Sequence, residues 1–520
     1  MKILEPESIL EKVKKFFDKS DLLILILTFC LGLVNNFYFI IGDGVAPDAV
    51  SPAFFNIAGN WEISLGRFAI KYINLFRYGL VSKLIIILIS LLLIAFSVMI
   101  LKRIFNIKSN LLLTLLTCFI CVAPQFTETY MFIYCADAYL VAFFLSTLGV
   151  YFLNKTDRNK LFYIPAVICT SIVCALYQAY LGVIVGLTII LVIKYVIDCM
   201  DIKYIIKKFV FFMLAILIGI ILYYIVLKII LSVLGLSLAS YKGANSLGID
   251  TIKNIPKSIV QCYKDFYHFF FTNDIINNAY WKRKKLYLVL YIIMFISGII
   301  ILIKEKPQEK KIRFFMLIFL ISIFPIGISI MNLIAAGTNI NLVTGPGLIT
   351  FWLIIVLIYN YLTKKNFSNL LKWGLVITSI ILIWTFLLQN IFTYIAREQT
   401  YINYRTISSD IYSRVVELEN YSVDKKWMFS DVIRFKVRNL ERSNGFITND
   451  NVTWNNYNGL LQNAKYYEKY LGIKIEICSK DEYYKIIKTE EFKKMPVYPS
   501  SGSVRIIDDI IVIKTSEKTY

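Results

Sequence analysis

The run DLLILILTFCLGLVNNFYFII (Asp21–Ile41), followed at once by GDGVAPDAV (Gly42–Val50), decides how this chain is read. About twenty apolar residues at 1.5 Å per residue cross the ~30 Å hydrocarbon core of a bilayer as a helix. The abrupt change to Gly, Asp and Pro ends that helix at the lipid boundary. Ten further apolar runs follow, at about 82–101, 110–123, 134–153, 161–176, 181–197, 209–236, 286–303, 314–334, 348–362 and 373–394. The pattern predicts an α-helical polytopic membrane protein with about 11 transmembrane helices over 21–394. Composition agrees: of 520 residues, 58% are hydrophobic and 15% aromatic, against about 45–50% apolar in an average soluble domain. Residues 395–520 have a soluble composition and predict a small C-terminal α/β domain. There SSDIYSRVVELENY reads as a helix, KKWMFS as a strand, NAKYYEKYLGIKIEI as helix then strand, and SVRIIDDIIVIKT as a hairpin turning at Asp508–Asp509.

The formal net charge is +21, from 56 Lys and Arg against 35 Asp and Glu. In a soluble protein this would suggest nucleic acid. Here the excess lies in short loops near Lys102, Lys155, Lys203, Lys304 and Lys364 and in the amphipathic segment 1–20, so no nucleic-acid partner is expected. The alternate loops PQFTETY, YQAY and AAGTNINLVTGPG carry no Lys or Arg. By the positive-inside rule the N-terminus is cytoplasmic, and loops 42–81 and 237–285 and the tail 395–520 are extracytoplasmic. Lys282, Arg283, Lys284 and Lys285 break the asymmetry. They are either the tolerated charge of a long loop or an interfacial patch for a lipid phosphate. The charged start and the long first apolar run predict no cleavable signal peptide.

No phosphate-cradling glycine loop or dinucleotide fingerprint is present. Nine cysteines are scattered, and Cys118 and Cys121 read as small hydrophobes within a span. The single histidine, His268, stands among aromatics and reads as a packing residue. What remains is carboxylates at the outer boundary: Asp43, Asp48, Glu62, Glu128 and Asp137. A carboxylate there can act as general base towards a sugar hydroxyl; Asp43 and Asp48 are equally compatible with plain turn acids, and Asp137 with a structural hydrogen bond. Arg67 opens an amphipathic stretch whose apolar residues suit a helix on the membrane surface, with Lys71 expected on its face. Arg67 is either a snorkelling anchor or a fork-shaped donor to phosphate. Trp61, Tyr130, Tyr177 and Tyr180 are belt aromatics or sugar-stacking platforms.

Four stretches carry a resemblance: WEISLGRF (Trp61–Phe68), FTETY (Phe126–Tyr130), ALYQAYL (Ala175–Leu181) and MPVYPSSGSV (Met495–Val504). In their order and spacing the chain resembles the Gtr type II (GtrII) family of bacterial serotype-converting glucosyltransferases, polytopic type C (GT-C) enzymes. The resemblance implies transfer of a hexose, usually glucose, from a polyprenyl-phosphate-linked donor to a hydroxyl on a cell-surface polysaccharide or lipid-linked glycan, on the outer face of the membrane. It implies an essential acid in the first external loop, here Asp43 or Asp48, and a donor synthase and flippase acting upstream. On this reading the reaction inverts, and Arg67, Lys71, Lys282 and Arg283 meet the donor phosphate. Trp61, Glu62, Glu128, Tyr130, Asp137, Tyr177, Gln178 and Tyr180 line the sugar and acceptor site. No cofactor is required, and a divalent cation is compatible with the site. Competing readings are a lipid-linked glycan polymerase or ligase, a flippase or transporter of lipid-linked sugars, for which Lys228 inside an apolar run is the best feature, and a scaffold displaying the tail.

Overall fold

The computed structural model describes residues 17–51, 53–240, 249–271, 283–304, 310–334, 342–364, 369–433 and 457–519. Helix α1 (Lys19–Ile41) is followed by the polar loop to residue 82, then α2 (Lys83–Phe105), α3 (Asn110–Cys121), α4 (Pro124–Met131) and α5 (Ala136–Lys155). Next come α6 (Tyr163–Tyr177), α7 (Leu181–Ile197), α8 (Ile202–Val233), α9 (Ile249–Phe271), α10 (Arg283–Lys304), α11 (Lys310–Ile328), α12 (Trp352–Lys364) and α13 (Asn369–Val416). Among the described residues, nine helical runs are long and apolar enough to cross a membrane, with Tyr287–Ile299 of α10 a shorter apolar helix. One of the nine, Lys160–Ile197, is two crossings rather than one. Tyr177 takes extended φ/ψ before the turn Gln178–Tyr180, and Tyr195 Oη returns to donate to Asn154 at 2.7 Å, at the end of the bundle where α6 began. On α8, Leu217 and Ile218 are half exposed, as side chains facing lipid are.

The Lys- and Arg-bearing loops gather at one end of the bundle. Buried Asp21 binds Lys102 at 2.8 Å and Arg103 at 2.9 Å, and Lys208 reaches Asp157 at 2.5 Å. At the opposite end the loop 42–81, the turn at Gln178 and the tail come together.

Three boundaries differ from the sequence reading. PQFTETY is no surface loop: Pro124 opens α4, and all eight of its residues are buried as the continuation of α3. A proline at the first helical position costs no hydrogen bond, so polar composition there did not mean a loop. The last span does not stop near residue 394. It runs unbroken to Val416, 48 residues in all, or about 72 Å, because AREQTYINYRTIS contains neither Gly nor Pro. The segment read as a separate tail helix is the end of this stalk. After residue 471 the expected strand is reduced to one bridge, Ile477 to Trp427.

The tail folds on the stalk. Strands β1 (Trp427–Phe429), β2 (Val504–Ile507) and β3 (Ile510–Ile513) form a sheet in the order β1-β3-β2, β1 parallel and β2 antiparallel to β3. Asp508 and Asp509 take φ of 48° and 65°, the left-handed pair that a two-residue hairpin turn demands. Buried Trp427, Phe429, Tyr466 and Tyr467 pack with Tyr404, Ile411 and Val415 of α13. The tail is therefore built on the last span, not tethered beyond it.

Candidate functional site

The loop after α1 is held from three sides. Glu398 of the stalk accepts from the backbone N–H groups of Asp43 at 2.6 Å and Gly44 at 3.0 Å. Arg397, one residue earlier, donates through Nε at 2.9 Å and Nη2 at 2.6 Å to the Val45 carbonyl, which Tyr401 Oη also reaches at 3.2 Å. From the bundle, Lys83 at the head of α2 donates to the Gly42 carbonyl at 2.5 Å, and the Met131 carbonyl takes the N–H of Ala46 at 2.9 Å. From the tail, Tyr470 Oη donates to the Asp43 carbonyl at 3.1 Å and Gln462 to that of Pro47 at 3.0 Å. The result separates the two aspartates that the sequence left equivalent.

Asp43, half exposed, pairs with Arg405 of the stalk. Lys83 and Lys469 lie within electrostatic reach of it. Asp48 is exposed on the one-turn helix Pro47–Ala49 and lies within electrostatic reach of Tyr134. Burial holds the Tyr134 phenol well above its ordinary value, with Cys135 and the carboxylates of Asp48 and Glu62 adding to the effect and Arg67 opposing it.

Arg67 forms the second corner. WEISLGRF makes a short helix, Asn60–Ser64, capped by Glu62, whose Oε2 accepts from the Gly59 N–H at 2.8 Å. The chain then turns at Gly66, φ +78°. Tyr223 Oη donates to the Gly66 carbonyl at 3.0 Å and Gln178 Nε2 to that of Leu65 at 2.9 Å, so α8 and the α6–α7 turn bolt the loop down. The guanidinium of Arg67 lies 4.5 Å from the centroid of the Tyr177 ring, which stacks at 4.2 Å on Tyr139. Arg67 Nη1 reaches Tyr139 Oη at 3.4 Å, and its buried Nε makes no hydrogen bond of ordinary geometry. No ion pair to Arg67 occurs among the described residues. A cation on an aromatic platform with spare donors suits a planar or phosphate anion.

The other expected residues sort by what they touch. Lys71 is exposed on helix Ile70–Phe76 while Arg67 precedes that helix and turns onto Tyr177, so the two do not share a face as the spacing suggested. Asp137 is taken up in a buried ion pair with Arg77 Nε at 2.8 Å. Gln178 is spent on the Leu65 carbonyl and on Tyr223. Tyr130, Tyr180 and Glu128 are buried, and Tyr130 Oη, Tyr180 Oη and Glu128 Oε2 find no hydrogen bond of ordinary geometry. Glu128 lies within electrostatic reach of Arg397. Trp61 is 56% exposed, and Phe54, Phe55, Tyr72 and Phe76 of the same loop are exposed too, a composition suited to the lipid boundary. Lys282 lies outside the described residues, as do the contacts of the Arg283 side chain; Lys285 is exposed. His268 lies 6.0 Å from the Tyr267 ring, and Lys228 sits exposed over Tyr224 at 5.4 Å. All nine cysteines are free, and no cluster of metal-ligating side chains occurs among the described residues.

Sequence reasoning missed Lys83, Arg397, Glu398, Arg405, Lys469 and Tyr470. The signal for the two stalk arginines was the spacing in AREQTYINYR: Arg397, Tyr401 and Arg405 recur every four residues, one face of a helix that continues past the span.

A family model described as Glucosyl transferase GtrII matches residues 53–349. The match includes Arg67, Glu128, Asp137 and the Tyr177–Tyr180 turn; it leaves Asp43, Asp48, the stalk and the tail outside. No curated protein and no solved structure matches the chain.

Proposed function

Since this chain belongs to the GtrII glucosyl transferase family, we propose that it moves a glucosyl group from a polyprenyl-phosphate donor to a hydroxyl of a cell-surface polysaccharide on the outer face of the membrane. The observation that carries the reading is the corner around Asp43: a half-exposed carboxylate at the end of α1, ringed by Lys83, Arg405 and Lys469. Transfer from a lipid monophosphate needs one base and cations for the leaving group, and needs them at the depth where the lipid headgroup lies. The Lys- and Arg-rich loops lie at the other end of the bundle, so the positive-inside rule puts Asp43 outside, away from nucleotide sugars.

In this mechanism Asp43 takes the proton of the acceptor hydroxyl as its oxygen bonds to the anomeric carbon from the face opposite the phosphate. The bond from that carbon to the phosphate oxygen breaks, the electron pair leaves on the polyprenyl phosphate, and the configuration inverts. Arg67 on its tyrosine platform lies inside the matched region and forms a separate cationic corner suited to an anionic group of donor or acceptor. Asp48, within electrostatic reach of Tyr134 rather than of the three cations, is assigned no part in the proton transfer.

The test is deletion of the gene followed by surface-glycan analysis. Loss of one side-branch glucose with the backbone intact supports the proposal. Loss of the whole polymer assigns the chain to polymerisation or ligation, and an unchanged glycan rejects both.

A further inference from the structure

Resting on that functional reading, we infer that the C-terminal domain completes the active site: Lys469 from the tail, Arg405 from the stalk and Lys83 from α2 form the seat of the donor lipid's phosphate, and the phosphate competes with Asp43 for Arg405. Of the three cations, Lys83 lies inside the family match, while Arg405 and Lys469 lie beyond its end at residue 349.

Three observations carry it. First, the corner holds more positive charge than it uses. Asp43 is paired with Arg405, and Glu398 is spent on the backbone N–H groups of Asp43 and Gly44. Lys83 donates only to the carbonyls of Gly42 and Gly44, at 2.5 and 3.3 Å. Second, spare donors point to a missing acceptor. Lys469, exposed at the rim of the corner, makes no hydrogen bond or ion pair among the described residues and is free to turn onto an anion; its contact is with the Tyr470 ring at 5.4 Å. Arg405 Nε is buried and makes no hydrogen bond of ordinary geometry, while its guanidinium lies 5.5 Å over that same ring. A buried donor without an acceptor costs about 1–3 kcal/mol, more when charged. A phosphate offers the several acceptor oxygens that these groups lack. Third, the position suits a lipid headgroup: Lys83 begins a span, and its ammonium lies 4.5 Å from the Phe39 ring near the end of α1.

The competition has a consequence for order. In the resting protein Arg405 neutralises Asp43 and weakens it as a base. A phosphate that draws Arg405 away leaves the carboxylate free to take the acceptor proton, so donor precedes acceptor.

The experiment uses purified full-length protein and two probes, a short-chain polyprenyl monophosphate and inorganic phosphate, with binding followed by native mass spectrometry and melting temperature recorded as a folding control. Lys469→Gln and Arg405→Gln each weaken polyprenyl phosphate binding about tenfold or more, the worth of roughly 1.4 kcal/mol. Lys469→Arg retains it, and Asp43→Asn binds at least as tightly as wild type because the competitor is gone. Unchanged lipid binding in the Lys469→Gln/Arg405→Gln double variant with a normal melting temperature overturns the inference. So does a loss confined to inorganic phosphate, which would make the seat one for a free anion. If the double variant binds normally while gene deletion still strips a glucose branch, the seat fails and the function stands. If binding follows the prediction and deletion leaves the glycan unchanged, the seat stands and the function fails.

Discussion

At the residue scale the informative contrast is between carboxylates that are free to do chemistry and those consumed by the fold. Asp137 and Arg77 have side chains only 2% and 4% exposed and are 2.8 Å apart. Arg77 also donates to the carbonyls of Leu80 at 2.5 Å and Tyr134 at 2.7 Å, tying the loop to the start of α5. Removing one partner strands the other charge, which costs about 3–5 kcal/mol. Arg77→Leu should therefore sharply lower yield and melting temperature, whereas Asp43→Asn should leave both unchanged. For Asp43→Asn the expected loss is in rate, about 10²–10⁴-fold, with Asp48→Asn close to wild type; a glucose-transfer assay on isolated membranes separates the two. Gly66 is a different kind of constraint. At φ +78° an added methyl is strained and would also overlap the Tyr223 hydroxyl. Gly66→Ala should displace the turn that aims Arg67 and depress transfer while the spans stay folded, a combination read by activity alongside a melting curve.

At the scale of elements, the stalk matters most. An α-helix without Gly or Pro has no local reason to stop, so α13 crosses the bundle and continues into the tail core, carrying Arg397, Glu398 and Arg405 to the loop at fixed spacing. Inserting two glycines after Ile407 should leave the spans inserted but uncouple Arg405 from the tail's Lys469; the expected outcome is lost transfer with membrane insertion retained. Within the tail, the helix Lys480–Ile486 starts with a capping box in which Ser479 and Glu482 satisfy each other's backbone N–H groups. The Ser479 N–H, followed by Lys426, holds the Glu482 carboxyl down at about 2. A depressed carboxylate stabilises the fold above the ordinary glutamate range and loses that contribution as pH falls towards 2. Glu482→Gln should flatten the acid limb of tail unfolding between about pH 4.5 and 2, as followed by tryptophan fluorescence; Ser479→Ala should cost about 0.5–2 kcal/mol.

At the scale of the whole molecule, orientation is open to direct labelling. In a cysteine-free background, Lys71→Cys should react with a membrane-impermeant maleimide in intact cells and Lys160→Cys should not; both side chains are exposed, so a reversed pattern would place Asp43 in the cytoplasm and overturn the lipid-donor mechanism. The sequence by itself determined the class of the molecule. Runs of twenty apolar residues have one stable solution in lipid, because only a helix satisfies its own backbone there. The hairpin at Asp508–Asp509 was legible for a similar local reason, since few residues tolerate two consecutive left-handed positions. Local rules also misled where a polar stretch happened to be helical, as in Pro124–Met131, and where a span did not end at the membrane. What only the tertiary structure decided was which partners surround Asp43 and which surround Asp48. Only four residues of loop lie between them in sequence, and their surroundings depend on which distant segment each meets: Arg405 and Tyr470, more than 360 residues on, for Asp43, and the neighbourhood of Tyr134 for Asp48. Charge pairing falls off over a few ångströms in space and takes no account of distance along the chain, so no reading of the loop alone could have told the two acids apart.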